Sequence, residues 1–168
     1  MSTIKITSDL HFFHDNIIKH CDRPCEAENH NEWLIEKLNS SIGKDDTVYH
    51  LGDFAYGKYK YPELKKIMSS LNGNWLFILG NHDKESQLKE LCKGTNHRVL
   101  GDYHTMRYND KSIIMFHYPI ENWWNKYRGS FHFHGHTHNN SPRKIENRYN
   151  VCLDHEMKVY DIDDFFVE

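Results

Sequence analysis

The sequence predicts an α/β domain, and three observations carry the prediction. Apolar, β-prone runs alternate with stretches whose apolar residues recur at helical spacing. Those runs end in short clusters of glycine, acid, amide and imidazole, as strand ends do where they converge on a site. The chain has 168 residues, which favours one domain over 1–168 and suffices for a real core.

Residues 4–8 form the first expected strand. Residues 15–20 read as a short helix with Asp15 as its cap. Residues 28–42 carry Trp33, Leu34, Leu38 and Ile42 at helical spacing, and Gly43 closes that helix. Residues 47–51 are a second strand, ending in Gly52-Asp53. Pro62 suits a first helical turn and opens a helix through about Ser70. A third strand, 75–79, runs into Gly80-Asn81-His82-Asp83, and a helix follows over 84–92. Farther on, strands at 103–108 and 112–117 flank Asn109-Asp110-Lys111, a hairpin turn. Residues 131–134 alternate aromatic and imidazole side chains. Residues 148–153 and 158–162 read as closing strands. No repeat, low-complexity stretch or linker interrupts the pattern.

Bulk properties narrow the function only by exclusion. A net charge of −3 advertises neither nucleic acid nor an anionic membrane as partner. No long apolar run predicts a membrane span, and the N-terminus lacks a signal-peptide pattern. Four cysteines, Cys21, Cys25, Cys92 and Cys152, make no dense disulfide framework. A reduced, cytoplasmic protein is the expectation. Fourteen histidines are the unusual number, and they invite a metal reading.

Five segments concentrate the metal-ligand chemistry: Asp9-Leu10-His11, Gly52-Asp53, Gly80-Asn81-His82-Asp83, His117 and Gly135-His136-Thr137-His138. Any one of these acids or imidazoles alone would read as a turn former or a surface residue. Their joint occurrence at strand ends points to a metal site. Mixed carboxylate and imidazole donors suit manganese, iron, zinc or nickel rather than an all-oxygen calcium or magnesium cage.

The order D-x-H, GD, GNHD, lone His, GHTH resembles the calcineurin-like metallophosphoesterase superfamily. The opening segment, residues 7–18, is similar to its small single-domain bacterial and phage members. The resemblance implies two packed mixed sheets flanked by helices, with metals at the sheets' edge. It implies one metal held by Asp9, His11, Asp53 and His138, and another held by Asp53, Asn81, His117 and His136. Asp53 then bridges two divalent transition-metal ions, manganese first, which together hold an attacking hydroxide. By the same resemblance His82 stabilises or protonates the leaving oxygen and Asp83 orients its ring.

The implied activity is hydrolysis of a small phosphodiester or nucleotide-like phosphate. Phosphomonoesters, phosphoproteins and nucleic acid ends stay open, as does a non-catalytic scaffold on the same fold. Scaffold members of this kind lose ligands or the catalytic histidine, and here all are present. His14 is either a phosphate contact or a helix cap, and Arg23 is a further candidate phosphate contact. Residues 118–128 hold Trp123, Trp124, Tyr127, Lys126 and Arg128 directly after His117. Trp124 and Arg128 are therefore expected to wall the substrate, the alternative being tryptophans tucked into the core. His132 and His134 read as solvated strand residues or as partners behind the ligands. His50 and His155 read as packing or solvent residues. His20, Cys21 and Cys25 make a weak separate zinc reading that lacks a fourth ligand.

Overall fold

The computed structural model describes residues 2–140 and 143–166. Strand β1 is Ile4–Thr7 and β2 is Thr47–Leu51. The two faces of β2 have different destinations. Val48 joins a core with Leu34, Leu38, Leu64, Trp75 and Phe77. Tyr49 and Leu51 join a second core with Ile113, Met115 and Phe133. Apolar residues on both faces of a two-residue alternation make a strand that is buried on both sides.

β3 (Asn74–Ile78) and β4 (Arg98–Gly101) complete the parallel part of the first sheet. β5 (Tyr103–Tyr108) and β6 (Lys111–Phe116) form an antiparallel hairpin. β7 (Phe131–His134) and β8 (Arg148–Asn150) extend it in parallel. β9 (Tyr160–Asp161) returns to pair antiparallel with β1. The first sheet has the order β4-β3-β2-β1-β9 and the second β5-β6-β7-β8. Both are mixed, and the second core lies between them. After the short α1 (Ile17–Cys21), helices α2 (His30–Ser41), α3 (Tyr61–Ser70) and α4 (Glu85–Cys92) cover the outer face of the first sheet through Leu34, Leu38, Leu64, Met68, Leu88 and Leu91.

Several elements differ from the sequence expectation. Helix α1 begins after Asn16, so Asp15 does not cap it. Residues Ala27–Asn29 form a 3₁₀ turn ahead of α2. The 109–111 turn is tighter than expected: Asn109 and Asp110 alone make it, both left-handed, while Lys111 already pairs with Tyr108. β4 was not expected, because four residues are too few to show a period. The stretch 148–153 stops early as a strand, since Leu153 opens a helical turn, α5 (Leu153–Glu156). Cys152 keeps one bridge to Ser8. At the end of β9, Ile162–Phe165 turn into a 3₁₀ helix.

β1, β2, β3, β6 and β7 each run directly into one of the five motif segments. Because they are aligned within the two sheets, their carboxyl ends meet along one edge.

Candidate metal centre

The loops at this edge are held in costly conformations. Five of the seven candidate ligands, Asp9, His11, Asp53, His136 and His138, have φ between 49 and 70°. Such left-handed residues persist where the surroundings over-determine them, and they concentrate at functional sites. Here the determinants are visible. Asp9 and His11 donate their N–H groups to the carbonyls of Gly52 and Asp53 at 2.9 and 3.0 Å. The Asp9 carboxylate accepts from the His136 N–H at 2.9 Å, from the Ser8 hydroxyl and from the Cys152 thiol. A β-carbon at Gly135 would collide with Asp9 and Ser8, so only glycine lets the fifth segment approach the first.

Donor atoms converge inside this frame. His11 Nε2 lies 3.8 Å from Asp9 Oδ1 and 3.7 Å from Asp53 Oδ2. His138 Nε2 lies 3.7 Å from Asp9 Oδ1, and His117 Nε2 lies 3.5 Å from Asp53 Oδ2. Asn81 Oδ1 is 3.0 Å from His117 Nε2. The His11 ring is buried, and neither of its nitrogens has a hydrogen-bond partner among the described residues. Separations of 3.5–3.8 Å are too long for good hydrogen bonds. They suit donors that each sit about 2 Å from a shared cation. Two compact groups result, Asp9/His11/His138 and Asp9/Asp53/His117. His136 sits in neither group, but its ring packs edge-on against His117 at 5.1 Å. The residues present therefore fit divalent ions.

Electrostatics agree with that fit. Burial alone would raise the Asp9 carboxyl. The nearby imidazoles of His11, His117 and His138 outweigh burial and hold Asp9 well below the usual carboxylate range. Burial opposes charge on His138, yet its bonds to Asp154 and Cys21, with Asp9 nearby, push it up to about 10.

Two of the imidazoles are oriented from behind. His117 Nδ1 donates to the Leu51 carbonyl at 2.8 Å, which can only accept, and Nε2 faces Asp53. His138 Nδ1 donates to Asp154 Oδ2 at 2.8 Å and likewise leaves Nε2 toward Asp9.

Arg23 is the partner of Asp154, which corrects its expected role. Its guanidinium is buried and fully engaged: Nε and Nη2 meet the two Asp154 oxygens at 2.7 and 2.9 Å. Nη1 donates to the Leu10 carbonyl at 2.7 Å and meets His30 Nε2 at 2.8 Å, and Nη2 also donates to the Asp9 carbonyl at 2.7 Å. No donor is left for a phosphate.

Asp83 is corrected in the same way. Its carboxylate accepts the N–H groups of Asp53, Phe54 and Gly80 at 2.8–3.0 Å and ties two loops together. It does not orient the His82 ring. His82 itself donates its N–H to Asp53 Oδ1 at 2.9 Å, while its ring lies at the surface against Tyr56, 4.3 Å between centroids. His14 joins this aromatic group, 5.4 Å from His11 and 4.6 Å from Tyr56.

The 118–128 segment does not follow the rim. After Tyr118, which packs over His117 and His136, the chain turns back along the second sheet. The Ile120 N–H reaches His132, a residue that β7 pairs with Ile114. Trp123 is buried against His132. Trp124 and Arg128 line a cavity with Arg107, Lys111 and Ser112 at the hairpin-turn end of β6, away from His117. They are not brought to the ligands.

His132 and His134 are buried rather than solvated, and burial pushes both down to about 4. His50 is buried among Phe54, Trp75 and Phe77 as a packing residue, and His155 is exposed. Cys21 groups with His138 and Asp154 rather than with His20 and Cys25, and all four thiols are free.

The sequence reading passed over Tyr56, Tyr118 and Asp154. The two tyrosines stand within three residues of Asp53 and His117, a signal that was available. Asp154 lies sixteen residues beyond its histidine and gave none. Beside Asn81 and His82, a cavity of about 450 Å³ is walled by Tyr56, Tyr59 and Lys84.

The comparisons agree with this geometry. A family model for the calcineurin-like phosphoesterase superfamily domain matches residues 3–153. The uncharacterized protein MJ1445 of Methanocaldococcus jannaschii is 36% identical over 141 residues, covering 83% of this chain and 72% of that protein. The Gene 66 protein of Mycobacterium phage L5 is 27% identical over 167 residues, covering 82% and 78%. Among solved structures, the protein of unknown function AQ665 from Aquifex aeolicus aligns with a TM-score of 0.76 at 21% identity, covering 99% and 98%. A novel archaeal phosphodiesterase aligns at 0.52 and 22%, covering 89% and 82%. At such identities the likeness of structures shows the fold. The family match spans every strand end that carries a candidate ligand, and the chain belongs to the calcineurin-like phosphoesterase superfamily.

Proposed function

We propose that the protein is a dinuclear metal-dependent hydrolase of a small phosphodiester or nucleotide-like phosphate. The observation that carries this reading is His11. A buried imidazole with no hydrogen-bond partner among the described residues, 3.7–3.8 Å from two carboxylates, is costly unless a cation completes it. Asp9, His11, Asp53 and His138 would hold one ion, and Asp53, Asn81, His117 and His136 the other. Manganese is the first expectation, with iron, zinc or nickel as alternatives. When bound, such ions polarise phosphoryl oxygens and make a water acidic enough to attack near neutral pH.

The remaining chemistry belongs to side chains at the lip. His82 is partly exposed, with Nε2 4.0 Å from Asp53 Oδ2, and is placed to give a proton to a departing oxygen. His14 sits beside it and serves as a phosphate contact. Tyr56 and Tyr59 wall the adjoining cavity and offer flat faces to the part of the substrate beyond the phosphate. Free thiols suit a reducing, cytoplasmic setting. No helix among the described residues is long and apolar enough to cross a membrane.

The test is turnover of a chromogenic phosphodiester and of the matching monoester. Activity should require added manganese, vanish with a chelator and be greater on the diester. Greater activity on the monoester would move the protein to the phosphomonoesterase class. No turnover of either ester with metal bound would favour a binding scaffold.

A further inference from the structure

We propose that the cavity between the β5–β6 hairpin and the 121–130 loop is a second ligand site that takes a nucleoside phosphate. The cavity holds about 480 Å³, within the range of small-molecule sites. Its charged lining is Arg107, Lys111, Arg128 and a single acid, Asp110. That balance is opposite to the net charge of −3 on the chain. Asp110 lies 3.8 Å from Arg107. Lys111 and Arg128 have no carboxylate partner among the described residues. Cations left free around a cavity are suited to phosphate oxygens.

The base would be met by Trp124, which also lines the cavity and is 59% exposed. An isolated exposed aromatic needs no explanation, but this one is displayed from a fixed frame. Its neighbour Trp123 is buried and donates to the Ser130 carbonyl and hydroxyl at 3.2 and 3.0 Å. The Ser130 hydroxyl donates in turn to the Trp124 carbonyl at 2.7 Å. Lys126 donates to the Glu121 carbonyl, and Asn125 and Gly129 take left-handed conformations that reverse the chain. A loop backbone held this way loses little freedom on binding, and an exposed indole face stacks on any base.

The site is separate from the metal centre. Lys111 opens β6 and His117 follows its end, so roughly 20 Å of strand lies between them. No candidate metal ligand lines the cavity. The inference therefore does not depend on the metal reading.

The test titrates ADP and inorganic pyrophosphate onto the full chain in EDTA, followed by indole fluorescence and calorimetry. ADP should saturate at one per chain. Trp124→Ala and Arg128→Ala should each weaken it about tenfold or more. Trp124→Phe, which keeps an aromatic face, should stay within about threefold of the wild type, and His82→Ala should leave binding unchanged. Pyrophosphate should bind about as weakly as ADP does to Trp124→Ala. The proposal is overturned if ADP shows no saturable binding. It is also overturned if His82→Ala abolishes binding while the loop variants retain it, or if pyrophosphate binds as tightly as ADP. Equal melting temperatures of the variants exclude misfolding.

Discussion

His82 and Asp53 are joined through the backbone of one and the side chain of the other, and this separates the candidate ligand from the proposed acid. The His82 N–H donates to Asp53 Oδ1 and helps fix that carboxylate, while its ring stays free against Tyr56. His82→Ala keeps the N–H, so metal content should be unchanged. Hydrolysis should slow by about 10²–10⁴, and less for an ester with a good leaving group. Equal losses on good and poor leaving groups would remove His82 from the proton transfer. Asp154 works at one step's remove. One of its oxygens holds Arg23 Nε, and the other holds both Arg23 Nη2 and His138 Nδ1. Arg23 also grips the carbonyls of Asp9 and Leu10. A single buried ion pair thus positions three candidate ligands, Asp9, His11 and His138. Asp154→Asn sets an amide against donors and should weaken manganese binding by about 10–100-fold in the Asp9/His11/His138 half. A metal titration should show one phase shifted and the other retained, and two unshifted phases would reduce the pair to packing. Arg23 also shows where residue-level reading of the sequence stops. Its position between Asp22 and Pro24 says nothing of a partner 131 residues away.

At the scale of elements, the site is a set of strand ends tied to one another by loop hydrogen bonds. Asp83 is the clearest tie, since its buried carboxylate serves three N–H groups of the loops after β2 and β3. Burial pushes this carboxyl up despite those bonds. Asp83→Ala strands three donors and should cost about 3 kcal/mol or more of stability in denaturant unfolding. A residue that only oriented the His82 ring would instead lower the rate at unchanged stability. The motif-bearing strands were legible because each pairs an apolar run with a Gly, Asp or His stop. β4 was not, because its four residues form a strand only by pairing with β3 past a bulge near Phe77. Residues 118–128 misled for a related reason. Adjacency to His117 suggested the rim, but burial of Trp123 against His132 pulls the chain back along the sheet.

Across the whole molecule, the two sheets matter because neither edge holds the complete set of candidate ligands. Asp9, His11, Asp53 and Asn81 come from the first sheet, and His117, His136 and His138 from the second. Sheet packing through Ile6, Leu51, Ile78, Met115 and Phe133 therefore sets the distance across the centre. The candidate ligands and their order were legible in the sequence, because metal chemistry restricts residue choice. The residues that aim them were not, because a carbonyl at Leu51 or an acid at 154 has no distinguishing spacing. The central claim is that Asp53 is shared by two ions. Elemental analysis after manganese loading, with free metal removed, tests it most directly. Two ions per chain are expected in the wild type, and depletion of both in Asp53→Asn. One ion or fewer in the wild type, or two retained in Asp53→Asn, would contradict the shared ligand.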